Sequence, residues 1–130
     1  AIPAEPVNPI AALNAKAQLG DVEAMHQLGT NNWHGRGGLE KNERLGVTWF
    51  RKAAVANHRD SQYMMGVIHW LGRGAPKDIG QSYYWMSLDA AQGHQDALLW
   101  KPKASALLTP ASRVTIDQTV ADKLKQDKAP

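Results

Sequence analysis

The chain has 130 residues, of which 43% are hydrophobic and 21% are charged, with a formal net charge of +3. These values suit one globular domain and argue against wholesale disorder. No apolar run reaches the roughly 18 residues of a membrane-spanning helix, and the lack of cysteine excludes disulfides, thiolate catalysis and cysteine metal sites.

The positive excess lies at the end of the chain. Residues 101–130 hold six basic and three acidic side chains, whereas residues 1–100 hold nine of each. A basic tail can attract nucleic acid or an anionic lipid surface, and such binding would collapse as salt is added. Because acidic side chains are interleaved here, we favour a solvated helix and expect no nucleic-acid partner and no membrane insertion.

The start of the chain reads AIPAEP, without an initiator Met. It resembles the mature end that remains after signal-peptide removal, which predicts a periplasmic or secreted protein; a trimmed cytoplasmic protein would look the same. The prolines predict that residues 1–8 are extended or disordered. Asn8-Pro9 predicts the cap and first turn of a helix that ends at Gly20.

The next hundred residues contain an internal repeat. Its spacing is 37 residues up to a Gly-Arg-Gly triplet and 36 residues beyond it, and a third copy begins at Gly93. A fixed period of about 20–50 residues marks a solenoid, whose units stack to bury their apolar faces. The matched pairs include Leu28 with Met65, Gly29 with Gly66, Trp33 with Trp70, Arg36 with Arg73 and Trp49 with Trp85.

Each of the first two units predicts two helices separated by the glycine triplet. Gly29 and Gly66 fall inside the first helices, where glycine costs about 1 kcal/mol relative to alanine, so we expect a neighbouring helix to approach closely there. The predicted contact stripes of the first helices are Ala24, Leu28 and Asn32 in unit one and Ser61, Met65 and His69 in unit two. After the caps Asn42 and Asp78, the second helices are predicted to bury Leu45, Trp49, Ala53 and Ala56, and Ser82, Trp85 and Leu88.

The third unit has only a first helix, predicted from about residue 95 to 108. Pro102 inside it predicts a kink or an early end near Lys101. Thr109-Pro110 starts a final helix, and Ile116, Val120 and Leu124 give it one apolar stripe that fits a cap sealing the open end of the stack.

The predicted fold is therefore all-α. We expect an α/α solenoid of about two and a half helix-turn-helix repeats over residues 9–108, opened by an N-terminal helix, and a C-terminal capping helix and tail over residues 109–130.

The repeated residues resemble the Sel-like repeat family, a relative of the tetratricopeptide repeat. The match runs through the Leu-Gly and Met-Gly pairs, both glycine triplets and the segment from Trp85 to Gly93, and it covers about residues 17–125. The family's tyrosine falls on Asn32 and His69, and unit one carries one extra residue between Gly37 and Asn42. The resemblance implies an adaptor that holds a protein partner on the solenoid surface; many bacterial members are exported and work in envelope assembly, secretion or host contact.

Trp33 and Trp70 are the leading candidates for partner binding. They follow the family's tyrosine position by one residue, so they are predicted to turn about 100° from the core and to lie side by side near the groove. Exposed tryptophans are frequent interface hot spots. The alternative is that both fill gaps between units. The other candidates for partner contact are Thr30, His34, Val67, Leu71, Tyr63 and an outward-facing Tyr84.

The sequence offers no catalytic motif. There is no G-x-S-x-G, phosphate loop or H-E-x-x-H, and the five histidines form no H-x-x-x-H pair. We therefore expect no enzyme, no metal and no cofactor. The leading hypothesis is a protein–protein interaction adaptor or scaffold; the alternative is a periplasmic immunity or inhibitor protein that blocks a secreted toxin enzyme.

Overall fold

The computed structural model describes residues 9–129, and within that range every regular element is helical. The expected disorder of residues 1–8 and the expected cap at Asn8 lie outside the described residues. The predicted all-α fold is confirmed. In chain order the helices are α1 Pro9–Gln18, α2 Val22–His34, α3 Glu43–Val55, α4 Arg59–Leu71, α5 Ile79–Ala91, α6 Gln95–Ser105 and α7 Pro110–Lys128. Within residues 9–129, no helix is long and apolar enough to cross a membrane.

The helix ends follow the local chemistry of the sequence. Asn42, Asp78 and Thr109 each accept a hydrogen bond from the backbone N–H three residues later, as expected of N-cap residues. Gly35 and Gly72 end α2 and α4 with a φ of +72° each, a left-handed conformation that glycine adopts without a Cβ clash. The loops between the first and second helices therefore begin at the glycine triplets, as predicted.

The helices pack consecutively, α1 on α2, α2 on α3, and so on to α6. Such packing of each helix on its sequence neighbours is the pattern of a solenoid. The predicted stripes of α2 and α4 are buried, and so is the predicted stripe of α5. The main core runs through both units and ends on α7; its buried members are Trp33, Val47, Phe50, Ala54, Met65, Ile68, Trp85, Leu88 and Val120.

The prediction for α3 was wrong in part. Leu45 and Ala56 are exposed and Trp49 is only half-buried, while the buried residues are Gly46, Val47, Phe50, Ala53 and Ala54. The reason is a reciprocal contact between α2 and α3. A Cβ on Gly29 would lie 2.7 Å from the Phe50 ring, and a Cβ on Gly46 would lie 3.0 Å from the Trp33 backbone nitrogen. The two glycines turn α3 so that Phe50 and Gly46 face α2.

The same close approach recurs in unit two. A Cβ on Gly66 would lie 2.7 Å from the methyl carbon of Met86 on α5. The expectation that Gly29 and Gly66 permit a close helix approach is confirmed. In both units, the first helix therefore packs directly under its second helix.

In the third unit, α7 does not pack over α6 in this way. Helix α6 continues through Pro102 to Ser105, so the predicted early end near Lys101 is wrong. Helix α7 buries Val120 and packs Ile116 against the core as predicted; it packs chiefly on α5, and Arg113 donates a hydrogen bond to Ser105 of α6. It leaves Leu98 and Leu99 of α6 exposed.

Candidate partner-binding face

The first helices present repeat-equivalent residues on one side of the molecule. Residues 30, 67 and 103 are equivalent, as are residues 34, 71 and 107 by the 37- and 36-residue spacings. We call this surface the first-helix face; it comprises Thr30, His34, Tyr63, Val67, Trp70, Leu71, Trp100, Lys103 and Leu107. Its apolar members include Leu71, which is 51% exposed, and Leu107, which is 64% exposed. The face is therefore accessible to a partner.

The structure corrects the role expected for Trp33. Its side chain is only 5% exposed and packs edge-on against Phe50, with ring centroids 6.3 Å apart. Trp33 therefore fills the space between helices, which was the alternative interpretation. The pair of adjacent exposed tryptophans does not form, because Trp70 packs against Trp100 instead, with centroids 5.3 Å apart.

The second unit explains why the two equivalent tryptophans differ. The Arg73 guanidinium lies 5.1 Å from the centre of the Trp33 ring and is fixed by Glu43, whose carboxylate it contacts at 2.7 Å. Arg73 belongs to the glycine triplet of unit two, so one unit covers the tryptophan of the unit before it. The third unit has no such triplet, and Trp70 stays half-buried. Trp70 is thus the tryptophan of the equivalent pair that a partner can reach.

Tyr63 and Trp100 extend the aromatic surface around Trp70. The Tyr63 ring packs 4.9 Å from the His94 ring. Burial, together with the charge of Asp96, raises the pKa of Tyr63 above its ordinary value. Tyr63 therefore remains a neutral phenol at physiological pH and offers partial ring exposure.

The remaining candidates divide between this face and another side. Thr30 and Val67 are half-buried on the first-helix face and His34 is exposed there. Tyr84 is not brought together with them. It lies on α5, packs edge-on against Trp85, and feels the charge of Asp127 on α7.

Three residues of the third unit belong to the face but were missed from the sequence. Lys103 and Leu107 stand 36 residues after Val67 and Leu71, so carrying the repeat spacing one unit further finds both. Trp100 has no aromatic equivalent in the other units, and only the fold brings it to Trp70. The Lys103 amine lies 4.7 Å from the centre of the Trp100 ring.

Two histidines at the unit boundaries serve the fold. The Nδ1 atom of His58 accepts a hydrogen bond from the Ser61 N–H, and its Nε2–H donates to Glu23 at 2.7 Å. The His26 ring stacks on His58 at 4.2 Å, and burial followed by the charge of His58 lowers the pKa of His26. Across residues 9–129, no group of three or more histidine or carboxylate side chains is placed to hold a metal ion.

Solved structures share this architecture. A protective antigen present in uropathogenic Escherichia coli strains, c5321, displays an SLR fold and matches with a TM-score of 0.80 at 20% identity, over 89% of this chain and 25% of that one. A Sel1 repeat protein from Oxalobacter formigenes matches with a TM-score of 0.65 at 30% identity, over 68% of this chain and 36% of that one. The chain thus spans about a quarter and about a third of these proteins.

The sequence itself carries the family's signature. No curated protein matches the chain, but residues 22–58 and 59–94 each match the Sel1 repeat. These segments coincide with α2–α3 and α4–α5 together with their loops, and they make up more than half of the 130 residues. Sel1 repeats are typically non-catalytic scaffolds for protein–protein interaction. The two repeats and the helical solenoid that they build show that the chain belongs to the Sel1 repeat family.

Proposed function

We propose that the chain binds a protein partner on the first-helix face, with Trp70 and Leu71 as anchors. The observation that carries this proposal is the exposure of Leu71, the last residue of α4, beside the half-buried Trp70–Trp100 pair; Leu107, at the equivalent sequence position just past α6, is exposed as well. Large apolar side chains on a rigid frame lose little conformational entropy on binding and are frequent hot spots. The packed repeats supply the frame.

The charges around the face favour a partner with acidic groups. His34 stands near Arg36, Lys41 and Arg73, and burial followed by these positive charges lowers the pKa of His34. Lys103 makes no ion pair with any residue between 9 and 129 and lies over Trp100. Carboxylates on a partner would approach these cations favourably and raise the rate of association.

The cellular role is proposed from the family. Its exported bacterial members support a periplasmic or secreted adaptor, working in envelope assembly, secretion or host contact. A protein that blocks a secreted toxin enzyme is the second candidate, since a small domain with one aromatic patch suits an inhibitor. A captured partner decides between them: an inhibitor abolishes the activity of its partner enzyme, whereas an adaptor does not.

The test is affinity capture from a periplasmic extract followed by mass spectrometry, with two matched leucine variants. Leu71→Glu places a charge on the first-helix face, and we expect it to weaken capture of the specific partner more than tenfold. Leu45→Glu is the control, because Leu45 is similarly exposed at 42% but lies on α3. Equal capture by the two variants, with helicity intact in both, would exclude the first-helix face.

A further inference from the structure

Helix α6 exposes apolar side chains on its outward side, which is unusual for a helix at the protein surface. Ala97 and Ala104 face the core and are fully buried. The opposite side carries what we call the α6 stripe: Gln95, Leu98, Leu99, Pro102 and Ala106. All five are exposed, with Leu98 at 53% and Leu99 at 68%. A surface helix normally directs polar residues to solvent, so this stripe has no covering element among residues 9–129.

The repeat register shows what covers the equivalent positions elsewhere. Leu98 and Pro102 correspond to Met25 and Gly29 of α2 and to Gln62 and Gly66 of α4. In those units, the glycine lies directly under the second helix, on Phe50 or on Met86. Leu98 and Pro102 therefore stand where the other two units carry their second helix. The chain's own α7 leaves the α6 stripe open, since α7 packs chiefly on α5.

The charges beside the stripe are arranged for self-pairing. Asp96 and Lys103 stand on the same flank of the stripe, since each residue turns the helix by about 100°. They are seven residues apart, which is about 10 Å along the axis, and their midpoint lies between Leu99 and Trp100, near the middle of the stripe. Lys103 has no ion pair within residues 9–129, and Asp96, 62% exposed, has only His94 at 3.7 Å.

We propose that two copies of the chain associate through antiparallel pairing of their α6 stripes about a two-fold axis. Such an axis places the same flank of both helices on the same side, so Asp96 of one copy lies opposite Lys103 of the other, twice. The four leucines at the centre lose their contact with water. The contact is self-complementary in shape and in charge. The inference shares Lys103 with the first-helix face, but its test residue Leu98 lies outside that face, and the test residue of the proposed function, Leu71, lies on α4.

The pairing is expected to be weak. Helix α6 has 11 residues and is therefore about 16 Å long, so its stripe offers less than a standard interface. We expect a dissociation constant on the order of 10–100 µM. Sedimentation equilibrium and light scattering of the full chain from about 10 µM to 1 mM measure it. A monomer throughout that range would overturn the proposal, including the case in which another protein covers the stripe.

The first variants test the apolar contact. Leu98→Glu should weaken dimerisation more than tenfold because it places a carboxylate in the centre of the contact, and Leu98→Gln should weaken it without adding charge. Val55→Glu is the matched control, since Val55 is 56% exposed and lies on α3. Dimerisation that survives both changes at Leu98, or that Val55→Glu weakens equally, would contradict pairing through the stripe.

The second variants test the two-fold charge pairing. Asp96→Lys and Lys103→Asp should each weaken homodimers several-fold through like-charge contacts, with helicity checked by circular dichroism. An equimolar mixture of the two should form heterodimers tighter than either homodimer, and the double variant should regain wild-type affinity. A mixture no tighter than its components would overturn the antiparallel arrangement, because only that arrangement pairs residue 96 with residue 103 of the other copy.

Discussion

The first two units are closed, meaning that a second helix packs on the first helix, whereas the third unit is open. One backbone position accounts for much of the difference. Units one and two have Gly29 and Gly66 where a Cβ would lie 2.7 Å from the second helix. The third unit has Pro102 at that position, and its ring excludes such an approach. The closed units bury Trp33, Trp85, Met65 and Met86, whereas α6 leaves Leu98 and Leu99 in solvent. In this chain, the unit that has proline in place of the glycine is the one that leaves apolar side chains exposed to solvent.

We expect the largest effects from substitutions at the two equivalent tryptophans, Trp33 and Trp70. Trp33→Ala should lower the free energy of unfolding by about 3–5 kcal/mol, because it empties a buried site under Arg73. Trp70→Ala should cost about half as much, since Trp70 is half-buried. Urea unfolding monitored by far-UV circular dichroism measures both. Equal losses would mean that the loop of unit two does not protect Trp33.

A buried carboxylate distinguishes unit two from unit one in a second way. Asp89 stands where unit one has Ala53. It is fully buried and contacts His94, while its Oδ1 atom makes no hydrogen bond. Burial raises the pKa of Asp89 to about 6 from the ordinary 3.8, although the contact with His94 opposes the rise. Ionising this group in the folded protein is therefore costly.

The raised pKa of Asp89 predicts how the stability of the fold depends on pH. Because the folded pKa exceeds the unfolded one, Asp89 holds its proton longer in the folded chain, and its contribution to stability falls as pH rises from about 4 to about 6. Asp89→Asn removes this loss, so the variant should be more stable than the wild type by up to about 3 kcal/mol above pH 7 and about equal to it near pH 4. Paired urea titrations at pH 4.5, 5.5, 6.5 and 7.5 measure the difference; a difference constant with pH would refute the raised pKa.

The smallest effects test the glycine-to-proline contrast itself. Gly29→Ala should destabilise the chain by about 1 kcal/mol, because the clash with the Phe50 ring exceeds the gain in helix propensity. Gly66→Ala should cost less, since the side chain of Met86 can move. Pro102→Ala should have the opposite sign and stabilise by about 1 kcal/mol, because residue 102 gains an N–H inside α6. Thermal unfolding of the three variants compares them; a loss of stability in Pro102→Ala would mean that the ring packs on the fold.

Local signals in the sequence were sufficient for the helices and for most of their ends, α6 being the exception. Asn42, Asp78 and Thr109 cap as expected, and Gly35 and Gly72 end their helices in the left-handed conformation. These features depend on residues within one helical turn, which is why a single sequence contains them. The repeat spacing added the solenoid.

Exposure was decided only by the tertiary structure. Trp33 and Trp70 hold equivalent positions, yet one is buried because Arg73 arrives from the next unit, and the other stays half-exposed because the third unit has no such loop. Likewise, the buried side of α3 follows from the reciprocal contacts of Gly29 and Gly46 with α3 and α2. The sequence by itself determined which residues are equivalent. Which of them reach solvent depended on groups 13 to 40 residues away along the chain, which come into contact only in the packed structure.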